Sequence, residues 1–355
     1  MNIEALRVAR EALGLTQTDL ARETNLAQSD LSRWERGLRT PSDDQVETLA
    51  GVLKVPANFL LSDLRFTQPV HRTQRAETKR TERLVSGRIE LARVAATRLL
   101  ADINIDTPFR FPVIEDPLSP DPEEAAESIR RVWRVPAGPI EDLSALVETA
   151  GAIVLPVNFG VTNILAAYAN LRGDQRWCFT NTQTLDGARA RFSLAHELGH
   201  ALLHWDRFDA PKGRDAEREA HRFAAAFLMP AAEIAAALGR IRFTLDELIP
   251  FRQRWGVSMQ ALITRARDLR LISTDQFTRL YKQISARGWR KSEPGLVPLE
   301  RPALLTESLA IQREEHGYSE EELGELAGFD VERLADLLPE HFQVPDQRPR
   351  LSVVG

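Results

Sequence analysis

Ile3, Leu6, Ala9, Arg10 and Leu13 recur at three- and four-residue spacing, the period of one helix face, and Gly14 stops the run. Four more short helices follow by the same reasoning. Thr16 is placed to cap Gln17–Glu23 and Asn25 breaks the chain; Gln28–Arg36 ends at Gly37, Asp43–Leu53 follows Ser42, and Ala57–Leu61 follows Pro56. From Phe66 the chain is polar and Arg-rich, then becomes helical with Leu84, Ile89, Val94 and Leu99 as its apolar positions. Pro108, Pro112, Pro117, Pro120 and Pro122 predict a loop-rich connection. Helices are expected over Glu123–Trp133 and Glu141–Ala150, and strands at AIVLPVNF and RWCFTN on either side of turn residues near Gly173-Asp174. Helical patterning then covers Arg191–His204, Glu217–Pro230, Ala231–Leu238, Leu245–Trp255 and Ser258–Leu269, up to a Gly- and Pro-marked turn at 285–295. Residues 301–341 predict two or three acidic helices, and the tail after Pro345 is expected to be disordered.

The two helices around Asn25 are short and closely joined, and the second presents polar side chains on one face. That is the pattern of a helix-turn-helix. The string LTQTDLARETNLAQSDLSRWERGLRTPSDDQVETLAGVLKVPANFLL resembles the Cro/repressor-type (XRE-like) helix-turn-helix family over residues 2–62. In this reading Leu20, Ala21, Leu26, Leu31 and Trp34 are buried and set the docking angle. Gln28, Ser29, Ser32 and Arg33 face the major groove, while Gln17, Asn25, Arg36 and Arg39 touch phosphates. The implied partner is double-stranded operator DNA, bound by a homodimer because one such module buries little surface. SEEELGELAGF, from Ser319, faintly echoes TQTDLARETNL, from Thr16, and is expected to mark an interaction or dimer helix rather than a second DNA-binding unit.

A different chemistry is written at RFSLAHELGHALLH, residues 191–204. His196 and His200 are four apart, so both imidazoles share one helix face and can reach one metal ion, with Glu197 directed into the same space. Two imidazoles and a carboxylate on zinc leave a fourth position for water, whose pKa the metal lowers towards about 7. Glu197 is then the general base. His204 stands two turns beyond His196, about 12 Å of rise, and is assigned a supporting or packing place. The third ligand is expected from EREAHRFAAAFLMP, residues 217–230: Glu217 first, Glu219 as runner-up, with His221 as a hydrogen-bonding orienter of a ligand imidazole. An edge strand of the small sheet is expected to align the substrate backbone.

AHELGHALLH followed by E-x-E-A-x-x-F-A-x-x-x-L-M-P resembles the ImmA/IrrE family of zinc metallopeptidases over roughly residues 140–271. The resemblance implies Zn²⁺ held by His196, His200 and Glu217, with Glu197 as base, and a repressor or antitoxin protein as substrate. The family usually has Asn at the position of His221. The segment G-W-R-x-x-E-P within 285–295 resembles one found in members fused to a repressor-type domain.

With 355 residues the chain is long enough for two or three domains. The expected fold is multidomain: an all-α helix-turn-helix domain (1–65), a basic linker and connecting helix (66–122), an α+β zincin-like metallopeptidase domain (123–272) and a helical, acidic C-terminal region (273–355). A hydrophobic share of 43% and a charged share of 27% are those of a soluble globular protein. The apolar runs are too short to cross a membrane and MNIEALRVAR has no apolar signal region, which predicts a cytoplasmic protein. Cys178 is the one cysteine, read as a buried strand residue. The net charge of -5 is uneven: residues 1–65 hold 8 Lys+Arg against 10 Asp+Glu, 66–100 hold 8 against 3, and 301–355 hold 5 against 12. The expected function is a DNA-binding transcription regulator with a zinc-dependent endopeptidase domain that cleaves a repressor, an antitoxin or its own linker. Two other readings stay open: a regulator whose peptidase-like domain senses metal, ligand or partner without cutting, and an antitoxin-like binder of a cationic toxin. Tyr168 is a bare candidate for polarising the scissile carbonyl.

Overall fold

The computed structural model describes residues 1–66, 78–103, 121–170, 176–184, 186–204 and 215–343. The Arg-rich start of the linker, the Pro108–Pro120 loop, the turn at Gly173-Asp174 and the tail after Pro345 lie outside the described residues.

The chain opens with α1 (Ile3–Glu11), α2 (Gln17–Thr24), α3 (Gln28–Trp34), α4 (Asp43–Leu53) and α5 (Ala57–Leu61). Thr16 and Asp19 form a reciprocal capping box at the start of α2, and Asn25 ends that helix in the left-handed region at φ 55°. That turn sets α3 across α2, with Leu20, Leu31 and Trp34 packed in the interior. Leu26 is only partly buried against the same core. A buried Arg10–Glu35 ion pair at 2.6 Å ties α1 to the end of α3, which stops at Trp34, two residues before the expected end.

The connecting helix α6 (Lys79–Leu99) packs as a strut, with much of its length buried. Gly87 lets it lie directly on α1, because a Cβ there would stand 2.5 Å from the Ala12 backbone nitrogen. Its inward arginines are used by neighbouring chain ends: Arg88 donates to the Asn158 carbonyl and pairs with Asp336 at 2.8 Å, and Arg98 donates to the Ala327 carbonyl at 3.1 Å. Arg93 pairs with the buried Glu90. Arg88, Glu90 and Arg93 are thus buried and Arg98 partly so, each neutralised or hydrogen-bonded as burial requires.

Next come α7 (Pro122–Val132), α8 (Leu143–Thr149) and a sheet of β1 (Ala152–Val157), β2 (Ala166–Asn170) and β3 (Arg176–Asn181). The order is β1-β3-β2, with β1 parallel and β2 antiparallel to β3. Side-chain alternation makes this sheet a wall between two cores. Leu155, Trp177 and Phe179 face the core shared by the helix-turn-helix, α6 and the C-terminal helices. Val154, Tyr168 and Cys178 face the core built on α9 (Gly187–Leu203), α10 (Ala216–Leu228), α11 (Ala231–Leu238), α12 (Leu245–Trp255), α13 (Met259–Asp268) and α14 (Thr274–Ala286).

The chain closes with α15 (Leu304–Glu314), α16 (Glu320–Ala327) and α17 (Val331–Leu337). The faint echo of the N-terminal motif has a structural basis. Ser319 and Glu322 form a capping box as Thr16 and Asp19 do, and Gly328 ends α16 at φ 78° as Asn25 ends α2. Buried Leu323, Leu334 and Leu337 stand where Leu20, Leu31 and Trp34 stand. The positions aligned with Ser29 and Arg33 are acidic here, Glu332 exposed and Asp336 partly buried, where the N-terminal motif has a hydroxyl and a guanidinium. The α16–α17 pair packs on α5 and α6, with Phe329 against Phe59 of α5 at 5.4 Å and Asp336 on Arg88 of α6 at 2.8 Å.

Candidate metal centre and nucleic-acid surface

Asp186 caps the first turn of α9, and its carboxylate is gripped at 2.9 Å by Arg252 of α12. Arg252 in turn pairs at 3.1 Å with Glu293, whose carboxylate also accepts from the Met259 and Gln260 amides at the start of α13. Glu300 bonds Arg191 on α9 and the Leu143 and Ser144 amides of α8. Glu293 of the G-W-R-x-x-E-P segment, through Arg252 and Asp186, and Glu300, through Arg191, therefore brace α9 from outside.

Gly199, the glycine within HELGH, gives α10 room to close on α9: a Cβ there would meet Ala220 Cα and Phe223 at 3.1 Å. That approach brings Glu217 to the two imidazoles. His196 Nε2 and His200 Nε2 face each other at 3.1 Å, and the Glu217 carboxylate lies 3.4 Å from the first and 3.3 Å from the second. Atoms bound to one tetrahedral zinc at its usual bond lengths lie about 3.3 Å apart. Facing imidazole nitrogens satisfy each other only when one carries a proton, whereas a cation between them satisfies both. The donor set and the spacing fit Zn²⁺.

Behind His200, its Nδ1 meets His204 Nδ1 at 3.1 Å, and His204 Nε2 meets the Glu219 carboxylate at 3.2 Å. This relay takes the place expected for His221. His221 makes no hydrogen bond to either imidazole among the described residues; it is exposed, its ring tilted against Phe192 with centroids 4.9 Å apart and 6.5 Å from the His196 ring. The reason is rotational: position 221 points along α10 toward the cleft rather than under α9. Glu219, the runner-up ligand, supports His204 and does not join the three converging atoms.

Glu197 is buried, and burial followed by the charge of Glu217 raises its carboxyl above the ordinary range. The Cys178 thiol beneath it is pushed up to about 12 by burial, so it stays protonated. Tyr168 lies on β2, facing the same core, its hydroxyl buried and without a hydrogen-bond partner among the described residues. Strand β2, unrecognised in the sequence pattern, is an edge strand and packs against α9. A cleft of about 1210 Å³ opens at His196 and Glu217 and runs past Phe192, Arg222 and Tyr281.

In the N-terminal domain Gln28, Ser29, Arg33, Arg36 and Arg39 are exposed on and after α3, while Ser32 is half-buried. Gln17 and Gln28 are joined by a 3.0 Å hydrogen bond, and Gln17 also donates to Glu35 at 2.9 Å, which pre-orients the amides. Arg33 and Arg39 share Asp30, at 3.7 and 3.2 Å.

Residues 154–267 match the family described as the IrrE N-terminal-like domain, and residues 6–60 match the helix-turn-helix family. Both expected domain families are present, in the expected order. No curated protein matches the chain. The first domain supports DNA binding and the second is metallopeptidase-like, with a small sheet and the His, His, Glu cluster at its centre. Among the described residues no helix is long and apolar enough to cross a membrane. The supporting place expected of His204 is where it stands, but its partner Glu219 and the Arg252–Glu293 brace were not foreseen.

Proposed function

We propose that this chain is a cytoplasmic, homodimeric transcription regulator that binds operator DNA and also cleaves protein at a zinc centre. The observation carrying the second half is the convergence of His196, His200 and Glu217, with ligand atoms within 4.8 Å of one another, beside a buried Glu197. Bound there, zinc supplies Lewis acidity to the scissile carbonyl and to water. Glu197 takes the proton of the attacking water and passes it to the departing amine. Edge strand β2 lines up the substrate backbone by adding a strand to the sheet. A closed structural site would fill its fourth position with protein, whereas among the described residues three candidate ligands converge here and the site opens on a cleft. The substrate class we propose is a repressor- or antitoxin-type protein, or the chain itself.

The test incubates the zinc-loaded chain with itself and with repressor- and antitoxin-type proteins encoded beside it. Cleavage by the native chain, abolished in Glu197→Gln while zinc is retained, is expected. Zinc retained with no cleavage of any of these would overturn proteolysis in favour of metal sensing.

A further inference from the structure

A helix-turn-helix that binds DNA needs positive charge on its DNA-facing side, yet residues 1–65 hold more acid than base, 10 against 8. The deficit is made good from outside the domain. The first turns of α6 reach the start of α2, where Arg80 Nε donates to the Gly14 carbonyl at 2.9 Å across 66 residues of sequence. Arg83, one turn on, lies 3.8 Å from Glu11 with its side chain 61% exposed. Together with Arg7 and Arg10 they border a hollow of about 510 Å³ whose other wall is Thr16, Gln17, Thr18 and Gln28.

We propose that Arg80 and Arg83 are part of the DNA-binding surface and contact the phosphate backbone beside the N-terminus of α2. This rests on DNA binding by the helix-turn-helix. The acids at the hollow are already engaged: Glu35 by Arg10 and Gln17, and Glu11 by Arg10 at 3.6 Å as well as by Arg83. Asp19 is taken up by the Thr16 cap and by Arg22. Glu82 is the one further acid on this part of α6 and is exposed. Four guanidinium groups thus face two carboxylates, and the eight-residue helix α2 adds its positive end to the same place. Arg80 is held by the Gly14 carbonyl and Gly87 seats α6 on α1, so the two cations arrive at a fixed position relative to Gln17 and Gln28. Pre-placed cations contribute phosphate contacts without the ordering cost of a free arm.

The probe is the duplex that the full-length chain selects from a random pool, with affinity measured across a salt series. Each lost phosphate contact makes the plot of log K against log salt shallower by about 0.9. Arg80→Ala/Arg83→Ala is expected to reduce the slope by about 1.8 and to leave the preferred sequence unchanged. Arg80→Lys/Arg83→Lys is expected to restore most of the slope. The distal control Arg240→Ala/Arg242→Ala removes the same charge from the turn between α11 and α12 and is expected to leave the slope intact. An unchanged slope in the α6 variant overturns the proposal, and so does an equal change in the control, which would mark a net-charge effect only. Failure of the native chain to select any duplex would instead overturn DNA binding itself, and this proposal with it.

Discussion

A metal-binding imidazole is held only as firmly as the group behind its other nitrogen allows. For His200 that group is His204, itself held by Glu219 at 3.2 Å. Glu219→Ala is therefore expected to weaken zinc binding about 10- to 100-fold while the three ligand atoms remain. Chelator competition measures this, and an unchanged affinity would reduce the relay to packing. A second residue-scale consequence concerns Glu148, which accepts from the Ala303 and Leu304 amides but is pushed up to about 7, chiefly by burial. The native state then holds the proton more tightly than the unfolded chain, so its contribution is most favourable below about pH 4.5 and is lost as pH rises through 7. The loss is of order 3 kcal/mol. Glu148→Gln should gain on the native chain in urea unfolding at pH 8, with the gap closing near pH 5; a gap independent of pH would contradict the assignment. At this scale His196, Glu197, His200 and Glu217 were legible because helical spacing and residue type carry them. Glu219, Arg252 and Glu293 were not, since nothing in a run of charges tells which acid will face a buried base.

Elements here meet where a side chain is missing. Gly87 brings α6 onto α1 and Gly199 brings α10 onto α9. Gly87→Val places a Cβ within 2.5 Å of rigid backbone, so it should destabilise the N-terminal domain by about 1–3 kcal/mol or more in denaturant unfolding. Little change would mean that α6 does not seat there. Gly199→Val should separate Glu217 from the imidazoles and lower zinc affinity even where the fold survives. The five N-terminal helices could be read from caps and periodicity, with Thr16, Asn25 and Ser42 in their expected places. Strand β2 could not, because AAYAN is short and Ala-rich and becomes a strand by pairing with β3. Nor could the burial of α6, whose arginines read as solvated until the carbonyls they meet are known.

At the scale of the molecule, α6 belongs to both halves. It carries the helix-turn-helix on one side, receives α16 and α17 on another, and through Arg88 touches the segment just after β1. The sheet separates that assembly from the core that carries the His, His, Glu cluster, with Cys178 and Tyr168 on one face and Trp177 and Phe179 on the other. A shared strut and a shared wall join the two domains through packed side chains. The identity of the three proposed ligands is tested directly by zinc stoichiometry measured by elemental analysis. One zinc per chain is predicted in the native protein and in Glu197→Gln, with loss in His196→Ala and strong weakening in Glu217→Ala. A native chain without zinc, or full zinc retention in Glu217→Ala, would contradict it.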